Sequence, residues 1–234
     1  MNDHTLIRLH VARSLLAGIY IGFGCLGMVL VRSCTVIPPM LSNFLSGIIF
    51  SIGLYLVFSC KGMLYTGLVY RVTDVMRDSK KFPLKNYIAV MIPTLIFNFL
   101  GIALVAAFAE ELNFYPDVAR MIASTKFVQP PYMMFLRAMF CNVLIVLAVV
   151  CSMRSTGQAD TYISALLPVM LFVACGFQHC VADMFFVLFV NIDILSVWTV
   201  VLNLLIAVIG NTFGGVLISA LLYVASSDEY ESKC

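Results

Sequence analysis

The chain has 234 residues, of which 62% are hydrophobic and only 11% charged, with a formal net charge of +2 and a mean hydropathy of +1.02. Soluble domains hold about half apolar and about a quarter charged residues, so this composition excludes a soluble protein and implies one embedded in a lipid bilayer. Of the eight cysteines, Cys25, Cys60, Cys141, Cys151, Cys175 and Cys180 fall in apolar runs, Cys34 lies between runs and Cys234 is last. That placement excludes a disulfide framework and leaves them as small packing residues.

A helix needs about 20 apolar residues to cross a hydrocarbon core about 30 Å thick. The first such run, Arg13–Val31, follows Arg8 and contains Gly18 and Gly22. It has no small-residue cleavage site and reads as a retained helix, not a signal peptide. The second, Met40–Tyr70, is too long for one crossing and is interrupted at Ser59-Cys60-Lys61-Gly62. A short basic connection, Arg71–Lys85, leads to the third run, Ile88–Phe108, which carries Asn98-Phe99-Leu100-Gly101. The external segment Ala109–Pro131, with Glu110, Glu111 and Asp117, predicts a short surface helix. The fourth run is Tyr132–Met153. The fifth, Tyr162–Val190, is again too long and is interrupted at Cys175-Gly176-Phe177-Gln178-His179. The sixth, Val197–Val224, carries Asn211-Thr212-Phe213-Gly214, and its Gly210, Gly214 and Gly215 allow close helix approach.

The two interruptions and the two Asn-containing segments stand at nearly constant offsets along the chain. Three spans followed by three more start the second half from the opposite membrane side, which predicts an all-α, inverted 3+3 repeat. Paired breaks in two such halves point to a central site in a channel or transporter. The freed backbone groups must then be buried in protein or line a wet cavity. One transmembrane domain is expected to cover residues 1–234. Arg8, Arg13, Arg71, Arg77, Lys80, Lys81, Lys85, Arg154 and Lys233 fall on one side, against Arg32, Arg120, Lys126 and Arg137 on the other. The positive-inside rule therefore predicts cytoplasmic termini.

Between Tyr162 and Val190 the readily ionised residues are His179 and Asp183. Ionisable groups at such depth are costly and usually face a pathway or cavity, although a satisfied packing role is the plainer alternative for a lone histidine. Imidazole, with an unperturbed pKa of about 6.5, gives and takes protons near neutrality. It can hydrogen-bond to a small anion or protonate it, and a neutral acid crosses an apolar constriction far more cheaply than its anion. On a continuous helix Cys175, His179 and Asp183 would share a face like metal ligands. Gly176 interrupts them, no second span supplies further ligands, and His4 and His10 lie too near the terminus to serve a haem. No metal or other cofactor is expected.

These residues resemble the formate/nitrite transporter family of pentameric anion channels. Its fifth-span motif is matched by Gly176, Phe177, His179, Ala182 and Met184, and its second-span Ω-shaped break by Leu64-Tyr65-Thr66. Gly210-Asn211 with Gly214-Gly215, Asn98 with Gly101, Arg137 with Cys141-Asn142, and Leu167-Pro168 extend the match over essentially the whole chain. The resemblance implies an aquaporin-like six-helix protomer, a pore in each subunit of a homopentamer, and a bacterial inner-membrane location. It implies that His179 is the central pore histidine with Thr66 its hydrogen-bonding neighbour. Leu54 and Phe50 would form the cytoplasmic constriction and Phe172 the periplasmic one, with Asn98 and Asn211 tying the freed backbone of the broken spans.

Several positions depart from the family pattern. Gln178 stands where Glu is usual, Asp183 where Asn is usual, Met63 where an acid is common, and Thr161 where a vestibule lysine is typical. Lys61 stands beside the break in place of a small residue. It is expected to replace the vestibule cation, to pair with Asp183, or to snorkel to the cytoplasmic mouth. The expected function is passage of small monovalent anions of weak acids (formate, nitrite or hydrosulfide) or their neutral acids. Alternatives are a neutral small-solute channel and a non-transporting membrane sensor or accessory subunit. An enzyme and a nucleic-acid partner are not expected.

Overall fold

The computed structural model describes residues 3–190 and 195–231; Lys233, Cys234 and the side chain of His4 lie outside the described residues. Among the described residues every regular element is a helix. These are α1 (Asp3–Ser33), α2 (Pro39–Ser59), α3 (Tyr65–Leu68), a 3-10 turn (Val69–Arg71), α4 (Val72–Arg77), α5 (Leu84–Glu111), α6 (Pro116–Phe127), α7 (Pro131–Met153), α8 (Gln158–Ala174), α9 (Cys180–Val187) and α10 (Val197–Glu231). Proline opens α2, α6 and α7, where its missing N–H is no loss and its fixed φ suits the first turn. Pro93 and Pro168 lie inside α5 and α8. Neighbouring helices can compensate such interruptions in a membrane protein.

Five helices, α1, α2, α5, α7 and α10, are long and apolar enough to cross a membrane. The sixth expected crossing is assembled differently: α8 has only 17 residues, and the short α9 follows it after a break. At 1.5 Å per residue, the 31 residues of α1 span about 46 Å, well beyond a core of about 30 Å. Helix therefore continues past the apolar run Arg13–Val31 into the charged turn around Arg8.

Close contacts give the helix directions. Gly18 meets Asn98 and, further along both helices, Gly22 meets Val105, so α1 and α5 run parallel. The Phe135 carbonyl lies over Gly210 and that of Met139 over Gly214, making α7 and α10 a second parallel pair. A Cβ at Gly101 would sit 2.1 Å from the Leu15 oxygen, and one at Gly214 would sit 2.0 Å from that of Met139. Only glycine permits either approach. Helices α1 and α2 are antiparallel, since Gly53 meets Tyr20 and Ile21 while Gly27 meets Ile49. Helices α2 and α8 pack against each other through Gly47 and Met170, and through Tyr55 and Tyr162. The start of α1 and the end of α10 accordingly share one face of the bundle, here called the terminal face.

On the far face, α6 lies over the bundle with Ala119, Ala123 and Phe127 buried. Arg120 holds it there by pairing with Glu110 at the end of α5 and with Asp117 one turn earlier.

Candidate functional site

Both breaks are built the same way. In α8 the N–H of Phe177 bonds to the Phe172 carbonyl (2.9 Å) and that of Gly176 to Val173 (3.1 Å), with Gly176 at φ 65°. In α2 the N–H of Gly62 bonds to the Val57 carbonyl (2.8 Å) and that of Lys61 to Phe58 (3.3 Å), with Lys61 at φ 55°. Each is a Schellman ending, whose left-handed residue suits glycine. Lysine occupies that position in the first break, against the steric preference of any residue with a Cβ.

Two buried asparagines then hold the chain beyond each break. Asn98 accepts from the Tyr65 N–H (2.8 Å) and donates to the carbonyls of Ser14 (2.7 Å) and Met63 (2.9 Å). Asn211 accepts from the Cys180 N–H (2.8 Å) and donates to Ala138 (2.6 Å) and Gln178 (2.9 Å). The N–H groups of Tyr65 and Cys180 and the carbonyls of Met63 and Gln178, freed by the breaks, are thereby satisfied.

The clamped segments bring Thr66 and His179 together. Thr66 Oγ1 lies 2.9 Å from His179 Nε2, and both residues are buried. His179 is also the N-cap of α9, its Nδ1 accepting from the Ala182 N–H at 3.1 Å. With Nδ1 used as an acceptor, the neutral ring carries its proton on Nε2 and donates it to Thr66. The Thr66 hydroxyl hydrogen is then available to a third partner.

Apolar side chains flank this pair. Phe172 stacks on the imidazole with centroids 5.9 Å apart, and Phe50 meets Phe172 edge-on at 5.8 Å. Phe50, Phe172 and His179 all line one cavity of about 330 Å³ on the far-face side. Leu54 lines another, of about 310 Å³, with Val57 and Leu64. The expectation that Phe50 partners Leu54 and stands apart from Phe172 is therefore corrected. Residues 50 and 54 are one helical turn apart, which places them at different depths, and Phe50 is at the level of Phe172. Lys61 and Thr161 share a cavity near the terminal face, together with Gln158.

Asp183 is fully buried, but Lys61 is not its partner. Lys126 of α6 reaches in from the far face, with Nζ 2.7 Å from Asp183 Oδ1 and 2.9 Å from Gln178 Oε1. The break turns the Lys61 segment toward the terminal face, whereas α9 carries Asp183 under α6. The same break prevents a continuous Cys175, His179 and Asp183 stripe, leaving Cys175 exposed. Sequence reading passed over Lys126 because it lies outside every apolar run. Its signal was that a buried acid requires a cation, and α6 offers one.

The family model described as "Formate/nitrite transporter" matches residues 4–225. The uncharacterized transporter YrhG of Bacillus subtilis is 30% identical over 190 residues, covering 78% of this chain and 71% of that protein. Among solved structures, an FNT family ion channel superposes with a TM-score of 0.85 at 24% identity, over 93% of this chain and 89% of that one. A pentameric formate channel with formate bound gives a TM-score of 0.73 at 21% identity, over 94% and 96% of the two chains. At these identities the two structures establish a shared fold.

Proposed function

Given that the chain belongs to the formate/nitrite transporter family, we propose that this integral membrane protein conducts small monovalent anions of weak acids: formate, nitrite or hydrosulfide. The observation carrying this reading is the buried Thr66–His179 hydrogen bond, which joins the segments that follow the two helix breaks and stands at the cavity that His179 lines. An anion leaving water needs a donor to replace its hydration, and Thr66, accepting from Nε2–H, has its own hydroxyl proton to offer. His179 polarises that hydroxyl and supports the transient neutral acid. Leu54 with Leu64 on one side, and Phe50 with Phe172 on the other, form constrictions that reject hydrated ions.

The inverted 3+3 repeat, with α1, α2 and α5 related to α7, α8 and α10, gives each protomer its own aquaporin-like pore. One transmembrane domain spans residues 1–234, the assembly is a homopentamer in the bacterial inner membrane, and both termini are cytoplasmic. Transport, with no chemical transformation and no metal or other cofactor, is the activity. Lys61 supplies the cation of the cytoplasmic mouth that Thr161 does not.

Anion flux into proteoliposomes, corrected for leakage through protein-free vesicles, tests the reading across about pH 5 to pH 8. Wild-type formate flux is expected to rise as pH falls, and His179→Asn to flatten that rise. Thr66→Ala is expected to lower flux roughly tenfold at every pH, the equivalent of about one good hydrogen bond. A His179→Asn profile superposing on the wild type would overturn the role given to the histidine.

A further inference from the structure

Away from the cavity that His179 lines, another lies at the terminal face, between α4 and the start of α5. Its volume is about 150 Å³, room for roughly one benzene-sized apolar group. Val75, Phe82, Val90 and Met91 supply apolar wall, and Arg71 and Lys81 stand beside them as cations. Asp74 also borders it, but its Oδ2 is engaged by Arg71 Nε at 3.2 Å, which leaves the Nη1/Nη2 edge of the guanidinium for another acceptor. Lys81 lies over the Phe82 ring, with Nζ 5.6 Å from the centroid. Among the described residues no carboxylate stands within ion-pairing distance of it.

The surrounding charge is one-sided. Arg71–Lys85 holds five basic residues against two acids, and both acids are committed. Asp74 is held by Arg71, while Asp78 Oδ1 accepts from the N–H groups of Lys80 (3.1 Å) and Lys81 (3.0 Å) and so shapes the turn. Beyond this basic loop, Leu84, Ile88, Ile92 and Ile96 are exposed at intervals of one turn along α5. Because α5 starts at the terminal face, the stripe runs from the loop into the depth of the bilayer.

A basic rim at the membrane boundary, an apolar cavity and an apolar stripe leading inward suit a molecule with an anion at one end and hydrocarbon at the other. A soluble anion could use only the rim, and a soluble protein could not reach the stripe. We propose that this cavity binds one anionic phospholipid, its phosphate held by Arg71 and Lys81 and its acyl chains packed in the cavity and along α5. Arg77, Lys80 and Lys85 add attraction at longer range. Since α4 follows without a gap from α3 and the 3-10 turn, the bound lipid braces the segment that carries Thr66. The site is separate from the route past His179 and does not depend on what that route conducts.

Native mass spectrometry of the detergent-purified assembly, titrated with phosphatidylglycerol or with phosphatidylcholine of the same chain length, reads the site. Phosphatidylglycerol is expected to bind about tenfold more tightly and to raise the unfolding temperature. Lys81→Gln, in an exposed loop, should weaken its tightest binding about fivefold, and Arg71→Gln/Lys81→Gln about twentyfold. Val75→Phe, which fills the cavity and keeps every charge, should weaken it as well. Arg154→Gln, on the same face away from the cavity, should match the wild type. Glycerol 3-phosphate, a head group without chains, and inorganic phosphate should not displace the lipid at equal concentration. Equal affinity for the two lipids would overturn the site, as would unchanged binding in both Lys81→Gln and the double variant. Displacement by either soluble phosphate would reduce it to a plain anion site and overturn the proposal. An intact assembly that retains no phosphatidylglycerol would do the same, assigning the cavity to a neighbouring subunit.

Discussion

At the scale of single residues, the Lys126–Asp183 pair takes a carboxylate fully out of solvent, and the sequence disclosed it by halves. A carboxylate in the fifth apolar run was visible as an expense, but its partner lies 57 positions earlier on a surface helix, and hydropathy does not connect the two. Lys61, already marked by the broken span, stood out more and was the wrong partner. Asp183 Oδ2 has no hydrogen-bond partner, so the carboxylate depends on Lys126 for its compensation. Lys126→Met therefore leaves an unpaired buried charge and is expected to cost about 3–5 kcal/mol, measured as unfolding of the detergent-solubilised protein. Because Lys126 Nζ also touches Gln178 Oε1 at 2.9 Å, moving the acid to that position keeps a carboxylate within its reach. The double variant Gln178→Glu/Asp183→Asn should fall within about 1 kcal/mol of the wild type, the scale of one net hydrogen bond. A Lys126→Met protein as stable as the wild type would show that the pair contributes nothing to folding.

Among the elements, the two breaks were the most legible because they depend on local residues: a polar tetrad interrupting an apolar run, with an asparagine at a matching offset in the next span. The residue that faces each break was less legible, since which face of a helix turns inward depends on packing partners far along the chain. That is why Phe50 was placed with Leu54 instead of Phe172. The matched endings also expose a difference between the two segments. Gly176 takes the left-handed position at no steric cost, while Lys61 takes it at φ 55° against a penalty of about 1–2 kcal/mol. Strain kept at a cavity mouth suggests that the side chain earns its place by charge. Lys61→Gly should accordingly raise stability by about 1 kcal/mol while lowering anion entry from the terminal face. Both readouts come from one variant, thermal unfolding and oriented-vesicle flux. A destabilised Lys61→Gly would mean that the lysine stem packs more favourably than its backbone is strained. Raised stability with unchanged entry would remove the mouth-cation role.

For the whole molecule, the most hydropathic windows of α5 and α10 are only 33% buried within the protomer, and Leu205, Phe213, Leu217 and Leu221 of α10 are exposed. Hydropathy cannot divide that surface between lipid and neighbouring subunits, because lipid tails and leucine side chains are equally apolar. The sequence therefore indicated a membrane bundle without revealing its mates. The proposed pathway passes the Thr66–His179 pair, whose two residues meet within one protomer. In a pentamer the five pores should then work independently. Assemblies reconstituted from mixtures of wild-type and His179→Asn protomers should lose the acid-stimulated part of formate flux in direct proportion to the variant fraction. A pathway shared along the central axis would place all five histidines on one route, so a single variant subunit would impair the whole assembly. The loss would then follow the fraction of all-wild-type pentamers, falling far more steeply than the line. Mixed assemblies lying on the line confine conduction to the protomer, and a steep fall assigns it to the symmetry axis.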